Sequence, residues 1–145
     1  GERLRVISDS PVQDEPASLI LVRLPGSTVC ASWQAVGREN TLLRWGHKHA
    51  QGSAGDFALA CGGTAVHVAR TGNFLVAVRA VHGGNSRKVL RLLHNATVVA
   101  TSHATTDGIH RNGGHIIEAI TATAGDVLSV ICQDSVDDSG ASTNL

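Results

Sequence analysis

The 145-residue chain has no Met and no Tyr, only two Phe and two Trp, and three Cys. No apolar run approaches the roughly 20 residues that a membrane-spanning helix needs, so the sequence offers no such helix. Charge of one sign is also lacking, because 12 Lys and Arg balance 12 Asp and Glu. Without a basic field to neutralise several phosphates, the main source of affinity for DNA or RNA is missing. Cys30, Cys61 and Cys132 are odd in number, widely spaced and without a CxxC pair. Neither a disulfide framework nor a cysteine zinc site is readable from them. Cys30 and Cys132 fall in strand-like runs, where a free thiol acts as a small buried apolar group. No nucleophile elbow, paired-carboxylate motif or P-loop occurs, so no catalytic residue and no cofactor is assigned, and the chain is expected not to be an enzyme. The start at Gly1, with no Met and no charged-then-apolar leader, reads as a processed chain.

What is present describes a folded domain. Hydrophobic residues make up 42% of the chain and charged ones 17%, and this length suits one domain with a core of its own. Helical signals are scarce. Short runs rich in Val, Ile, Leu and Thr recur between clusters of Gly, Asn, Asp and Ser, the pattern of many-stranded β architecture. The candidate strands are Leu4 to Ile7, Ser18 to Leu24, Thr28 to Val36, Thr41 to Trp45, Asp56 to Cys61, Ala65 to Ala69, Asn73 to Val81, Lys88 to Leu93, Thr97 to Ser102, His115 to Thr123 and Val127 to Gln133. Turn chemistry separates them at Gly83-Gly84-Asn85-Ser86, Asp107-Gly108, Asn112-Gly113-Gly114 and Gly125-Asp126. Residues 135–144 read as a loop or solvated tail, and residues 1–25 as an N-terminal arm or extra strands ahead of a main domain over 26–145.

One run carries more information than the rest. From Phe74 onward, Phe74, Val76, Val78 and Ala80 share one face, while Leu75, Ala77, Arg79 and Val81 share the other, and both faces are mostly apolar. A sandwich covers only one of them, so the second face needs a partner subunit or an extra segment. The stretches Leu90 to Leu93 and Ile116 to Ala122 have the same two-sided quality.

From Thr28 onward the layout resembles the tumour necrosis factor and complement globular-head superfamily. The likeness rests on Thr28 to Trp33 as a first core strand and on Thr41 to Trp45 as a short strand ending in Trp. It rests further on Val66 to Val78, with its Gly72 turn and Phe74-led strand, and on Gly125-Asp126 leading into Val130. It covers about two thirds of the chain. The stretch Thr71 to Leu145 is also similar to the C-terminal heads of bacterial collagen-like surface proteins, including those of spore coats. The resemblance implies an antiparallel jelly-roll β-sandwich and a homotrimer, with Leu75, Ala77, Val81, Ile117 and Val130 at the subunit contact. It also implies display on the outer surface of a cell, spore or virion, where the head binds a protein receptor or a glycan. Members usually line the trimer axis with aromatics, which are few here. The usual closing strand is missing after Leu145. Either Ala141 to Leu145 is a shortened last strand, or the N-terminal arm takes its place, or the chain lies outside the superfamily.

Three further groups bear on chemistry. His47-Lys48-His49 would set two imidazoles on one side of a strand, as in metal-binding cupins, but the carboxylate expected soon after is replaced by Ala50, Gln51, Gly52, Ser53 and Ala54. A solvated loop without metal is the expectation there. His103, His110, Arg111 and His115 bracket the polar stretch 104–114, and a loop carried on a rigid sandwich is where a binding site for an acidic or glycan partner is placed. Asn95-Ala96-Thr97 fits an N-glycosylation acceptor at a hairpin turn, with a plain turn as the simpler account. Alternatives to the surface-displayed head are a structural virion protein, such as a capsid subunit or decoration protein, and a cupin-like metalloprotein.

Overall fold

The computed structural model describes residues 17–24, 30–51, 54–81, 88–104 and 113–134. These form ten strands: β1 (Ala17–Leu24), β2 (Cys30–Glu39), β3 (Leu42–Gln51), β4 (Phe57–Ala60), β5 (Ala65–Val68), β6 (Gly72–Val81), β7 (Lys88–His94), β8 (Thr97–Ala104), β9 (Gly113–Ala122) and β10 (Val127–Asp134). Two single 3-10 turns, Ala54–Asp56 and Cys61–Gly63, are the helical content among the described residues. The molecule is all-β, and ten of the eleven expected runs are strands; Leu4 to Ile7 lies outside the described residues. No helix among the described residues is long and apolar enough to cross a membrane.

All strand pairings are antiparallel. One layer runs β3-β2-β1-β6-β9, and the other runs β4-β5-β10-β7-β8. A narrow seam joins them, in which Ile131 of β10 pairs with Leu42 of β3 and the Cys132 N–H donates to Thr41 O at 2.8 Å. Period-2 alternation sends one face of every strand inward. The first layer contributes Leu19, Leu21, Trp33, Trp45, Phe74, Val76, Val78 and Ile120 to a common core, and the second contributes Phe57, Val66, Val68, Leu90, Leu92, Leu128 and Val130. Phe57 of β4 meets Trp33 of β2 and Phe74 of β6 edge-on, with centroids 6.2 and 5.5 Å away, so the layers face one another as a sandwich.

Strand β1 is an interior strand. It pairs with β2 on one side and along its whole length with β6 on the other, and Leu19 and Leu21 are fully buried. Within residues 1–25, therefore, Ala17–Leu24 shares the core of the rest of the chain. Strand β3 also differs from expectation. It continues to Gln51, so His47-Lys48-His49 belongs to a strand and not to a loop. The cause is β2, whose backbone pairs onward through Ala31 and Cys30 with Ala50 and Gln51. The register shifts at His47, which is passed over between Gly46 and Lys48.

At one end of the sandwich the turns are bound together by polar groups. Arg70 Nε lies 3.0 Å from Asp56 Oδ1 and Arg23 Nη1 lies 3.8 Å from Asp56 Oδ2, with the Asp56 side chain only 1% exposed. The Ala69 N–H donates to Asp56 O, and Arg23 Nη2 donates to Thr71 O. The Ala124 N–H donates to Thr71 Oγ1, which ties the β5–β6 turn to the β9–β10 turn. At the opposite end, Val81 pairs with Gly113, and Lys88 pairs with both Ala104 and Asp134. The strand ends flanking 82–87, 105–112 and the C-terminal segment thus converge there.

Candidate functional site

The site follows from the outward face of the first layer. On β6 the inward positions Phe74, Val76, Val78 and Ala80 are buried, and Leu75 and Ala77 on the other face are half-buried. The registers set Ala77 between Ile20 of β1 and Ile117 of β9, and Leu75 between Val22 and Ala119. Two successive outward rows across three neighbouring strands are therefore apolar: Ile20, Ala77 and Ile117, then Val22, Leu75 and Ala119. Ile117, on the edge strand, is 71% exposed, the highest value among the described large apolar side chains. Polar rows bound this block. On one side Gln34, Ser18, Arg79 and His115 stand opposite one another across four strands. On the other, Thr121 Oγ1 donates to Asn73 Oδ1 at 2.8 Å, while Leu24, opposite Asn73 on β1, extends the apolar surface.

Of the residues expected at the subunit contact, Leu75, Ala77 and Ile117 share the block. Val81 pairs with Gly113 on the same two strands, and its side chain lies outside the description. Val130 does not belong to the face. It is 0% exposed in the core, and β10 lies in the other layer. The physical reason is parity, since Leu128, Val130 and Cys132 point inward and leave Val127, Ser129 and Ile131 outward. Ile20 and Val22 belong to the face and were not singled out from the sequence. Their signal was the unbroken apolar run Leu19 to Val22, as two-sided as the β6 run.

The histidine group is not brought together as one site. His103 on β8 and His115 on β9 are both exposed, and the His115 N–H donates to Ser102 Oγ at 3.3 Å where the two edge strands meet. Ser102 and His103 point to opposite faces of β8, so His103 stands on the outer face of the second layer and His115 on that of the first. His115 has Arg79 directly opposite it instead. His110 and Arg111 lie outside the described residues.

A second polar centre has a structural character. Asn95 Nδ2 donates to Asp126 Oδ1 at 2.8 Å, the Thr123 N–H donates to Asp126 Oδ2 at 2.8 Å, and His94 Nε2 lies 2.7 Å from Asp126 Oδ2. The Asn95 amide first, then the Thr123 N–H and the His94 ring, hold the Asp126 carboxyl well below the usual carboxylate range. Asn95 Oδ1 accepts from the Val127 N–H, so the amide of the glycosylation-like triplet is engaged on both sides in joining two turns. Asn95 and Ala96 both have positive φ, 49° and 65°, as a two-residue hairpin turn of the primed type requires.

Among the described residues no group of three or more His, Cys, Asp or Glu is placed to hold a metal ion. Cys132 is buried in the core and Cys61 is exposed, and neither forms a disulfide with a described residue. In comparisons with known proteins, the chain matches no family model and no curated sequence.

Proposed function

We propose that this chain is a non-catalytic head domain that assembles with copies of itself through the outer face of β1, β6 and β9. The observation that carries the reading is the block of Ile20, Val22, Leu75, Ala77, Ile117 and Ala119. It is contiguous over three strands whose other faces already fill the core. An apolar surface rimmed by polar groups marks a protein contact. A second copy fits as occupant, because the block itself is uncharged and the row beside it holds Arg79 and His115 with no described carboxylate, a rim that is closed over without selecting a strongly charged partner. The chain as a whole has a formal net charge of +0, so no long-range repulsion opposes association of like molecules.

Threefold closure and surface display come from the resemblance to tumour necrosis factor and complement heads. The jelly-roll form of the sandwich is supported by the path of the chain, which passes from β5 in one layer to β6 in the other, back to β7 and β8, across to β9 and back to β10. Receptor or glycan binding is assigned in this reading to the end where the strands flanking 82–87 and 105–112 converge.

Sedimentation equilibrium at micromolar concentration tests the assembly. The expected mass is about three times the 15.0 kDa of one chain, and the mass of a single chain would overturn the reading. Ile117→Asp is expected to sediment as a monomer with an unchanged far-UV spectrum, because Ile117 is a surface residue of the single chain. In the contact, its carboxylate would be desolvated without a partner. An Ile117→Asp protein that remained assembled would show that this face is not the contact.

A further inference from the structure

The row next to the apolar block carries the one described pair of cationic and titratable side chains that face each other on this surface. Arg79 and His115 are directly opposite on β6 and β9, both exposed and both on the outward face, one register step from Ala77 and Ile117. Side chains directly opposite in an antiparallel pair stand about 4.5–5.5 Å apart at Cβ, close enough for like charges to repel measurably. Neither makes an ion pair with a described residue. The charged and titratable groups on the elements around His115 are Arg79 on β6, His103 on β8, Lys88, Arg91 and, at the far end and bound to Asp126, His94 on β7, Arg23 on β1 and Glu118 on its own strand. Of these, Glu118 is the single carboxylate, and its parity turns it from the outward face, as Val76 is turned opposite it. Arg23 is turned inward toward Asp56. The outward row of β1, β6 and β9 therefore holds a fixed cation beside an imidazole with no described carboxylate to balance a second positive charge.

From this juxtaposition we infer that assembly through the face is proton-gated, with the Arg79–His115 pair as the gate. The inference rests on the self-assembly reading. Imidazole is the side chain that takes up a proton between about pH 7 and 5. A proton on His115 converts a cation beside a neutral ring into two cations across one strand pair. Closing the interface over that row then confines both charges away from water, where repulsion is screened least. In the single chain the same two charges stay solvated, so acid weakens association more than folding. In a closed ring each subunit brings one such pair, and the effects multiply.

Sedimentation of the full chain at pH 7.5 and pH 5.5, with Arg79→Gln and His115→Gln alongside, tests this. For the unaltered protein the association constant is expected to fall by roughly tenfold to a hundredfold on acidification. Both substitutions, at exposed positions, are expected to remove most of that fall while leaving the oligomer intact at pH 7.5. An assembly whose mass is the same at both pH values, or variants that lose association by the same factor as the parent, would overturn the gate while leaving the assembly reading standing. A monomer at pH 7.5 would overturn the assembly reading itself, and the gate with it.

Discussion

At the scale of single residues, the four aromatic side chains Trp33, Trp45, Phe57 and Phe74 are all buried in the common core. Their scarcity leaves the outer face to aliphatic groups, so no aromatic marks the candidate contact. Gly46 shows how closely two strands can constrain one position. Val36 is the extra residue of the β2 bulge, since Ala35 pairs with Trp45 and Gly37 with Arg44, and its side chain lies over the Gly46 backbone. A Cβ at Gly46 would overlap Val36 Cγ1, and a β-branched side chain has few alternative rotamers into which to withdraw. Gly46→Ala is therefore expected to lower the stability of the fold by about 1–3 kcal/mol, although Ala is ordinarily the better strand residue by roughly 0.5–1 kcal/mol. The sign is checked by a double-mutant cycle in urea denaturation. In a Val36→Ala background the same substitution should be neutral or stabilising, and an equal loss in both backgrounds would show that Val36 is not the obstacle.

At the scale of elements, the Asp126 centre joins the β7–β8 hairpin to the β9–β10 turn, which also bonds to β5 through Val68 N–H to Asp126 O and Gly125 N–H to Val68 O. Because the folded state holds the Asp126 carboxyl below its ordinary 3.8, the associated stability is fully present above the ordinary value and is lost as pH falls through the lower folded one. Asp126→Asn is thus expected to lower the Tm at pH 7, with the gap to the parent narrowing below about pH 4. A gap that stayed constant down to pH 2 would show that the carboxylate charge is not what matters. The Gly125-Asp126 turn and most strands were legible in the sequence because alternation and turn residues are local signals. The partners of Asp126 were not, since Asn95 is brought to it by pairing of β7 with β10. The extension of β3 past Trp45 was hidden for the same reason, being imposed by β2. Half of the candidate face was readable from β6 and β9. The other half needed the knowledge that β1 lies beside β6, and Val130 was misplaced because a strand's layer is a property of topology.

At the scale of the whole molecule, one end of the sandwich is tied by the Asp56 and Asp126 centres, and the open apolar block lies on the flank of the first layer between the two ends. Burial of that block between copies would couple folding to concentration, since partners that bind only the folded chain stabilise it by mass action. For three chains that fold and associate together, a tenfold dilution removes about 1 kcal/mol per chain, and for a chain of this size that corresponds to roughly 2–4 °C in Tm. Differential scanning calorimetry at pH 7.5 over a hundredfold range of concentration should therefore show the Tm rising by about 4–8 °C with concentration. Ile117→Asp should show no such rise, and its Tm should meet that of the parent at the dilute end, where the parent has dissociated. The comparison separates two roles for the face. If Ile117 only packed against its own chain, its replacement would lower the Tm equally at all concentrations and the parent's Tm would not move with dilution. A Tm of the parent that is independent of concentration, at concentrations where sedimentation shows a single species, would place the apolar block on a monomer's surface and end the assembly argument.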